Sequence, residues 1–254
     1  MKNYRIAFCF YGQTRVSDVI NLWFKQVENE YDFFISTWDD GDSRKLDLNF
    51  TDKQLLNFSE TENKLQNLHL GDSSPTYQTY LINQVITLKE KYETLHNFKY
   101  DLVIISRTDY VFDLDHLRTE LNKLLTLKEF NKPIFSMQTK LEIYERSLVM
   151  SDPILFIANN SASKLFSQLF NDLFVSRMDL ELNFNFVAGA HHVIGFFCAY
   201  YNSIVLVNNI LGWLIRPHIL HSTFKKNYKL SYSELNKILG TEEERWILEN
   251  KWKK

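Results

Sequence analysis

The chain has 254 residues, of which 45% are hydrophobic, and its formal net charge is −2. This length suits one large domain with a substantial core, and seven glycines with four prolines are too few for extended linkers. The near-neutral charge argues against a nucleic-acid-binding protein that neutralises phosphates over a broad surface.

The cysteines and the amino terminus indicate a reducing, cytoplasmic compartment. Cys9 and Cys198 lie in apolar runs, and we expect buried thiols rather than a disulfide. The first apolar run is too short for a secretion signal and leads directly into polar sequence. The longest apolar region, residues 187–201, is interrupted by two histidines and falls short of a membrane span.

A strand, a tight turn and a helix open the chain. A strand is predicted over residues 5–11, Gly12-Gln13-Thr14-Arg15 follows, and residues 16–27 have helical spacing. This arrangement aims backbone N–H groups at a phosphate and puts Arg15 near the start of the helix. An ordinary turn between a strand and a helix has the same pattern, so the motif alone is weak.

The second strand, predicted over residues 32–37, ends in an aromatic and acidic segment that begins with Trp38 and Asp39. Trp38 can stack on a nucleoside base or close the edge of the sheet. The acids that follow are also typical of a solvated loop. Residues 44–70 are polar with one predicted helix at 52–58, and a long amphipathic helix is predicted over residues 77–96.

The central strand is predicted at residues 102–105, where four consecutive apolar side chains suit a strand buried on both faces of a parallel sheet. Arg107 and Asp109 follow at its carboxyl end, where ligands bind in open α/β sheets. A guanidinium suits phosphate and a carboxylate suits Mg²⁺ or Mn²⁺. Asp109 can equally be a turn residue, and we expect Asp113 or Asp115 to cap the next helix.

Strands and helices alternate through the rest of the chain. Helices are predicted at 117–127 and 161–174, the second capped by Ser161, and strands at 133–138, 151–158 and 203–207. Residues 139–151 are expected to form a charged loop of the length of a lid. A buried helix is predicted to begin at residue 187, and two short helices make up the tail at 231–254. The alternation predicts a three-layer α/β fold with a mainly parallel sheet.

Three of these features together resemble a known family. They are the strand that ends in Gly12-Gln13-x-Arg15, the Thr37-Trp38-Asp39 segment, and the apolar run that closes in Arg107-x-Asp109. The combination resembles bacterial and viral glycosyltransferases of the lipopolysaccharide- and capsule-synthesis type, the WavE-like group. The resemblance covers residues 4–165, including the segment that begins at Ser151.

The resemblance implies a Rossmann-like GT-A fold over residues 1–225, with residues 226–254 as a helical extension that packs on it. It also implies binding of a nucleoside diphosphate sugar and transfer of the sugar to a glycan or lipid-linked acceptor. Such enzymes carry an Asp-x-Asp pattern that holds a divalent cation, Mn²⁺ or Mg²⁺, against the diphosphate. Here Arg107 replaces the first acid, which weakens the case for a standard metal site.

Roles for individual residues follow from this resemblance. Asp109 is the expected metal ligand and one of two predicted catalytic acids, and Asp152 is the expected base, although it can equally be a turn carboxylate beside Pro153. His192 is a second candidate metal ligand. The alternative for the late histidines is packing in the core or exposure, and this group comprises His191, His192, His218 and His221.

The remaining predicted contacts concern the donor and the membrane. Gly12, Gln13, Arg15, Arg107 and Arg216 are expected to meet the diphosphate. Trp38 or Asp39 is expected to meet the nucleoside. Trp246 and Trp252 lie beside lysines in the tail and are compatible with a peripheral membrane anchor, although packing on the domain is expected.

Two other classes of function compete with this hypothesis. A GT-A-like domain without catalytic activity that binds a glycan or a protein is favoured by the missing first acid. A Rossmann-type methyltransferase or dehydrogenase is disfavoured because the turn at Gly12 lacks Gly-x-Gly-x-x-Gly. A serine hydrolase is disfavoured because the chain has no Gly-x-Ser-x-Gly.

Overall fold

The computed structural model describes most of the first two thirds of the chain and a few later strands. The described residues are 4–15, 17–67, 74–127, 133–137, 141–144, 147–150, 155–170, 204–207, 210 and 212–214. The predicted buried helix that begins at residue 187 and the predicted tail at 226–254 lie outside them.

The described residues contain both strands and helices in alternation. The strands are β1 (Ile6–Tyr11), β2 (Asp32–Trp38), β3 (Phe50–Leu56), β4 (Leu102–Arg107), β5 (Tyr110–Phe112), β6 (Ile134–Met137), β7 (Leu141–Tyr144), β8 (Ser147–Met150), β9 (Leu155–Asn159), β10 (Ile204–Val207) and β11 (Gly212–Leu214). The helices are α1 (Ser17–Phe24), α2 (Phe58–Asn67), α3 (Ser74–Leu95), α4 (Leu114–Leu125) and α5 (Asn160–Phe170).

Seven of these strands form one sheet in the order β10-β6-β9-β4-β1-β2-β3. All neighbours run parallel except β9, which is antiparallel to both β4 and β6. Tyr11 at the end of β1 pairs with Arg107 on one side and with Ser36 on the other. The carboxyl ends of β1, β2 and β4 therefore meet at one edge of the sheet.

The two faces of the sheet are covered by different helices because side chains alternate along each strand. Phe8 and Phe10 of β1 face a core cluster that includes Phe24 of α1 and Leu117 of α4. The alternate residues of β1, such as Cys9, face a second core cluster that includes residues of α3 and α5. The sheet thus lies between two helical layers, and the predicted three-layer, mainly parallel α/β fold is confirmed.

Two local predictions are wrong. Residues 50–56 form β3, not a helix over 52–58, because their backbone pairs in parallel with β2 and this pairing outweighs a weak helical pattern. Residues 139–151 were expected to be a loop, but β7 and β8 form an antiparallel hairpin there.

The predicted caps have different outcomes. The Asp113 side chain accepts hydrogen bonds from the backbone N–H groups of Asp115 and His116, so its role as the cap of α4 is confirmed. For α5 the backbone N–H of Ala162 donates to the side chain of Asn159 at 2.9 Å, so Asn159 has the role that was predicted for Ser161. Among the described helices, none is long and apolar enough to cross a membrane.

Candidate functional site

The turns that follow β1 and β4 lie side by side. Gly12 has a φ of +102°, a backbone conformation that side chains disfavour, and this lets the chain turn sharply out of β1. The backbone N–H of Thr108 donates to the carbonyl oxygen of Tyr11 at 2.9 Å. The hydrogen bond fixes the Arg107–Asp109 segment against the turn that carries Arg15.

Asp109 is the centre of a three-residue charge cluster. Arg107 donates from Nε to Oδ1 at 2.7 Å and from Nη2 to Oδ2 at 2.7 Å, which is a two-pronged pair. Arg15 Nη1 lies 3.9 Å from Oδ2 of the same carboxylate. The carboxylate side chain is 3% exposed and that of Arg15 is 34% exposed. The structure thus brings together three residues that the sequence placed at the ends of different strands.

The cluster carries more positive than negative charge. Within the described part of the chain, two guanidinium groups and one carboxylate sum to a formal net charge of +1. A planar guanidinium is also a good partner for phosphate oxygens. The arrangement favours an anionic ligand over a free cation.

A cavity of about 600 Å³ opens beside this cluster. It lies between the turn after β1 and the loop after β2, and its lining residues are Gln13, Thr14, Arg15, Asp40, Gly41, Asp42 and Lys45. The volume falls within the range of small-molecule sites. Arg15 lines the cavity and also reaches Asp109, so it connects the charge cluster to the open space.

The loop after β2 is held in shape by its own acids. Asp40 Oδ1 accepts from the backbone N–H of Ser43 at 2.7 Å and of Asp42 at 3.1 Å. Lys45 Nζ lies 3.2 Å from Asp42 Oδ1. From the sequence, Asp40 and Asp42 were expected to be part of a solvated loop, but they form one wall of the cavity.

Trp38 and Asp39 lie near this edge but do not line the cavity. The Trp38 ring packs edge-to-face against Phe58 at 5.1 Å and Tyr77 at 6.1 Å between centroids, and it is 9% exposed. Asp39 forms a two-pronged pair with Arg44 at 2.7 and 2.8 Å. The Arg44 hydrogen bonds hold the pKa of Asp39 below its usual value. Trp38 was expected either to stack on a nucleoside base or to close the edge of the sheet, and its packing fits the second interpretation better.

Buried hydroxyl groups near the cluster were not singled out from the sequence. Thr14 Oγ1 and Thr37 Oγ1 lie 3.2 Å apart and are buried. Thr108 Oγ1 and Ser36 Oγ are buried, and neither has a hydrogen-bond partner within the described part of the chain. Their position at strand ends was the available signal, but threonine and serine are common there for structural reasons.

Several predicted site residues lie outside the described residues, namely Asp152, His191, His192, Arg216, His218 and His221. The strands next to Asp152 and Arg216, which are β9 and β11, are described. Leu155, the first residue of β9, pairs with Ser106 near the end of β4, so the chain enters β9 from the edge that carries Asp109. Leu214, the last residue of β11, pairs with Tyr110, the residue that follows Asp109.

The described residues show no complete site for a divalent cation. They contain no group of three or more His, Cys, Asp or Glu side chains arranged to hold a metal ion. Both oxygens of Asp109, the predicted ligand, already accept hydrogen bonds from Arg107.

The chain matches no protein-family model and no curated protein sequence. Solved structures to which the chain is similar include mouse xyloside xylosyltransferase 1, with 10% identity, 81% of this chain and 85% of that chain covered, and a TM-score of 0.43. The inositol-1-phosphate CTP transferase from T. maritima has 14% identity, coverage of 92% and 96%, and a TM-score of 0.40. A glycosyltransferase involved in the glycosylation of the major capsid of PBCV-1 has 8% identity, coverage of 86% and 87%, and a TM-score of 0.36.

Proposed function

We propose that this protein is a glycosyltransferase of the WavE-like type, which transfers a sugar from a nucleoside diphosphate sugar to a glycan or lipid-linked acceptor in polysaccharide biosynthesis. One observation carries the proposal. Arg15 and Arg107 converge on a buried carboxylate at the carboxyl edge of a mainly parallel sheet, next to a cavity of about 600 Å³. Ligands of open α/β sheets bind at this edge.

The chemistry of the proposed reaction matches the charges of Arg15 and Arg107. When the bond to the anomeric carbon breaks, negative charge builds up on the leaving diphosphate, and donors fixed in advance stabilise it best. Arg15 lines the cavity and supplies one guanidinium. The turn at Gly12 and Gln13 is proposed to supply backbone N–H groups next to it.

Other parts of the proposal rest on the sequence resemblance and on strand directions. Asp152 is proposed as the base that takes the proton of the acceptor hydroxyl, since the chain enters β9 from the edge that carries Asp109. Arg216 is proposed as a further phosphate contact, since β11 ends two residues before it and pairs with β5. We also propose a cytoplasmic location with access to a membrane-bound acceptor.

The test is binding and turnover with a panel of UDP-, GDP-, CDP- and TDP-sugars. At least one donor should bind by calorimetry and release its nucleoside diphosphate when acceptor glycans are present. Arg15→Gln should weaken that binding about 10- to 100-fold, because a hydrogen bond to a charged group contributes about 1.5–3 kcal/mol.

A matched control is Arg118→Gln. Arg118 pairs with Glu30, which precedes β2 at the opposite edge of the sheet, so this variant should bind the donor as the natural protein does. Binding without any release of nucleoside diphosphate would support the inactive binding module. Release of pyrophosphate from a nucleoside triphosphate, with no release from any donor sugar, would contradict sugar transfer.

A further inference from the structure

Asp109 occupies the position at which the resemblance expects a metal ligand, but its surroundings suit another role. Arg107 Nε and Nη2 each donate to a different carboxylate oxygen at 2.7 Å. With its side chain 3% exposed, the carboxylate presents almost no surface to the cavity. Its position between two arginines leaves it poorly placed to meet a hydrated cation.

The charges around Asp109 point the same way. A second guanidinium, that of Arg15, lies 3.9 Å from Oδ2. A dication at this carboxylate would face two positive groups at close range, and among the described ion pairs of these groups the Asp109 carboxylate is the negative partner. A diphosphate carries the opposite charge and would be attracted by the same groups.

We propose that Asp109 is a positioning residue for Arg107 and Arg15, and that these arginines meet the donor's diphosphate without a divalent cation bound at Asp109. The inference rests on the proposed function, since it concerns the same donor site. A carboxylate that accepts two parallel hydrogen bonds from a guanidinium fixes the plane of that guanidinium. The arginines are then held ready before the ligand arrives, which lowers the cost of ordering them on binding.

The experiment measures binding of UDP, GDP, CDP, ADP and TDP by calorimetry, once in EDTA and once in MnCl₂. The dissociation constant of the preferred nucleotide should agree within about twofold between the two buffers. Asp109→Asn should weaken binding by about 10- to 100-fold, and by the same factor in both buffers, because the loss acts through the arginines. If Asp109 held a cation, Asp109→Asn would instead lose only the part of the nucleotide affinity that Mn²⁺ supplies.

Two further variants separate a positioning role from a merely structural one. Arg107→Lys keeps the charge but loses the two-pronged pair, and it should weaken binding in both buffers. Asp109→Glu keeps the carboxylate and should recover part of the affinity that Asp109→Asn loses. Thermal melting of each variant shows whether it is folded, and Arg15→Gln is the substitute if the buried variants do not fold, since Arg15 is one third exposed.

The outcomes are distinct. Equal binding in EDTA and MnCl₂, with parallel losses in the variants, supports the inference. Binding only with Mn²⁺, with Asp109→Asn removing that dependence, overturns it and leaves the proposed glycosyltransferase intact. Absence of binding in both buffers overturns the inference and the proposed function together.

Discussion

Glu93 joins α3 to the segment that leads into β4 through one buried carboxylate. Its Oε1 accepts from Lys89 Nζ at 3.1 Å and from the backbone N–H of Tyr100 at 3.0 Å, and its Oε2 accepts from Lys99 Nζ at 2.8 Å. The side chains of Glu93 and Lys89 are fully buried. Because Tyr100 leads into β4, this network fixes the strand whose carboxyl end carries Arg107 and Asp109.

Glu93→Gln should destabilise the protein by about 3 kcal/mol. Removing one partner of a buried ion pair costs about 3–5 kcal/mol, and the value lies at the lower end because the amide oxygen of Gln still accepts a hydrogen bond. After the change the Lys89 ammonium keeps Ser163 Oγ at 3.3 Å but has lost the opposing charge. Urea unfolding followed by tryptophan fluorescence measures the difference at pH 7.

The control is Asp47→Asn, which makes the same chemical change in an exposed ion pair with Lys25. It should leave the unfolding midpoint unchanged, because water already solvates both charges. The reasoning is refuted if Glu93→Gln shifts the midpoint no more than this control does.

Acidification gives a second check on Glu93. Burial raises the pKa of this carboxyl, but the hydrogen bond from Lys99, the charge of Lys89 and the Tyr100 N–H outweigh it and hold the pKa below the ordinary 4.5. The stability that comes from ionised Glu93 is therefore present above pH 4.5 and is lost as the pH falls through the lower folded-state pKa. Because Gln resembles the protonated acid, the gap between the variant and the natural protein should close on acidification.

Three further predictions concern single residues. Gly12→Ala should lower the free energy of unfolding by about 1–3 kcal/mol, because the φ of +102°, and not a lack of space, disfavours a side chain. Gly41→Ala is the control: a Cβ there would meet nothing within 4 Å, so this variant should be neutral in the same urea titration. Asp113→Ala should cost about 0.5–2 kcal/mol by loss of the cap of α4, and an unchanged melting curve would contradict that role. Cys9, whose pKa burial raises to about 12, should resist iodoacetamide at pH 8 until the protein is unfolded, as peptide mass spectrometry can show.

The sequence predicted the elements whose burial is complete. The run at 102–105 was identified as a central strand because all four side chains are apolar, and each is at most 1% exposed in the structure. The periodicity of α3 was similarly clear. At β3, by contrast, all seven side chains are only partly buried, and the pairing with β2 that makes it a strand has no local signature.

Long-range strand pairing and side-chain direction limited how much of the site could be predicted from the sequence. The sequence placed Arg15, Arg107 and Asp109 at one edge, since the ends of parallel strands meet there. It treated Arg107 and Asp109 as two separate ligands, and the two-pronged pair between them became visible only with side-chain geometry. The three-residue pairing of β5 with β11 joins segments about 100 residues apart, so no local pattern could indicate it.

The most direct test of the central claim is a crystal structure with the nucleoside diphosphate that binds most tightly. The account predicts density in the cavity at the carboxyl edge, with the diphosphate within hydrogen-bond distance of the Arg15 guanidinium. Density at the opposite edge instead, in the cavity of about 620 Å³ lined by Arg5, His96 and Phe98, would contradict it.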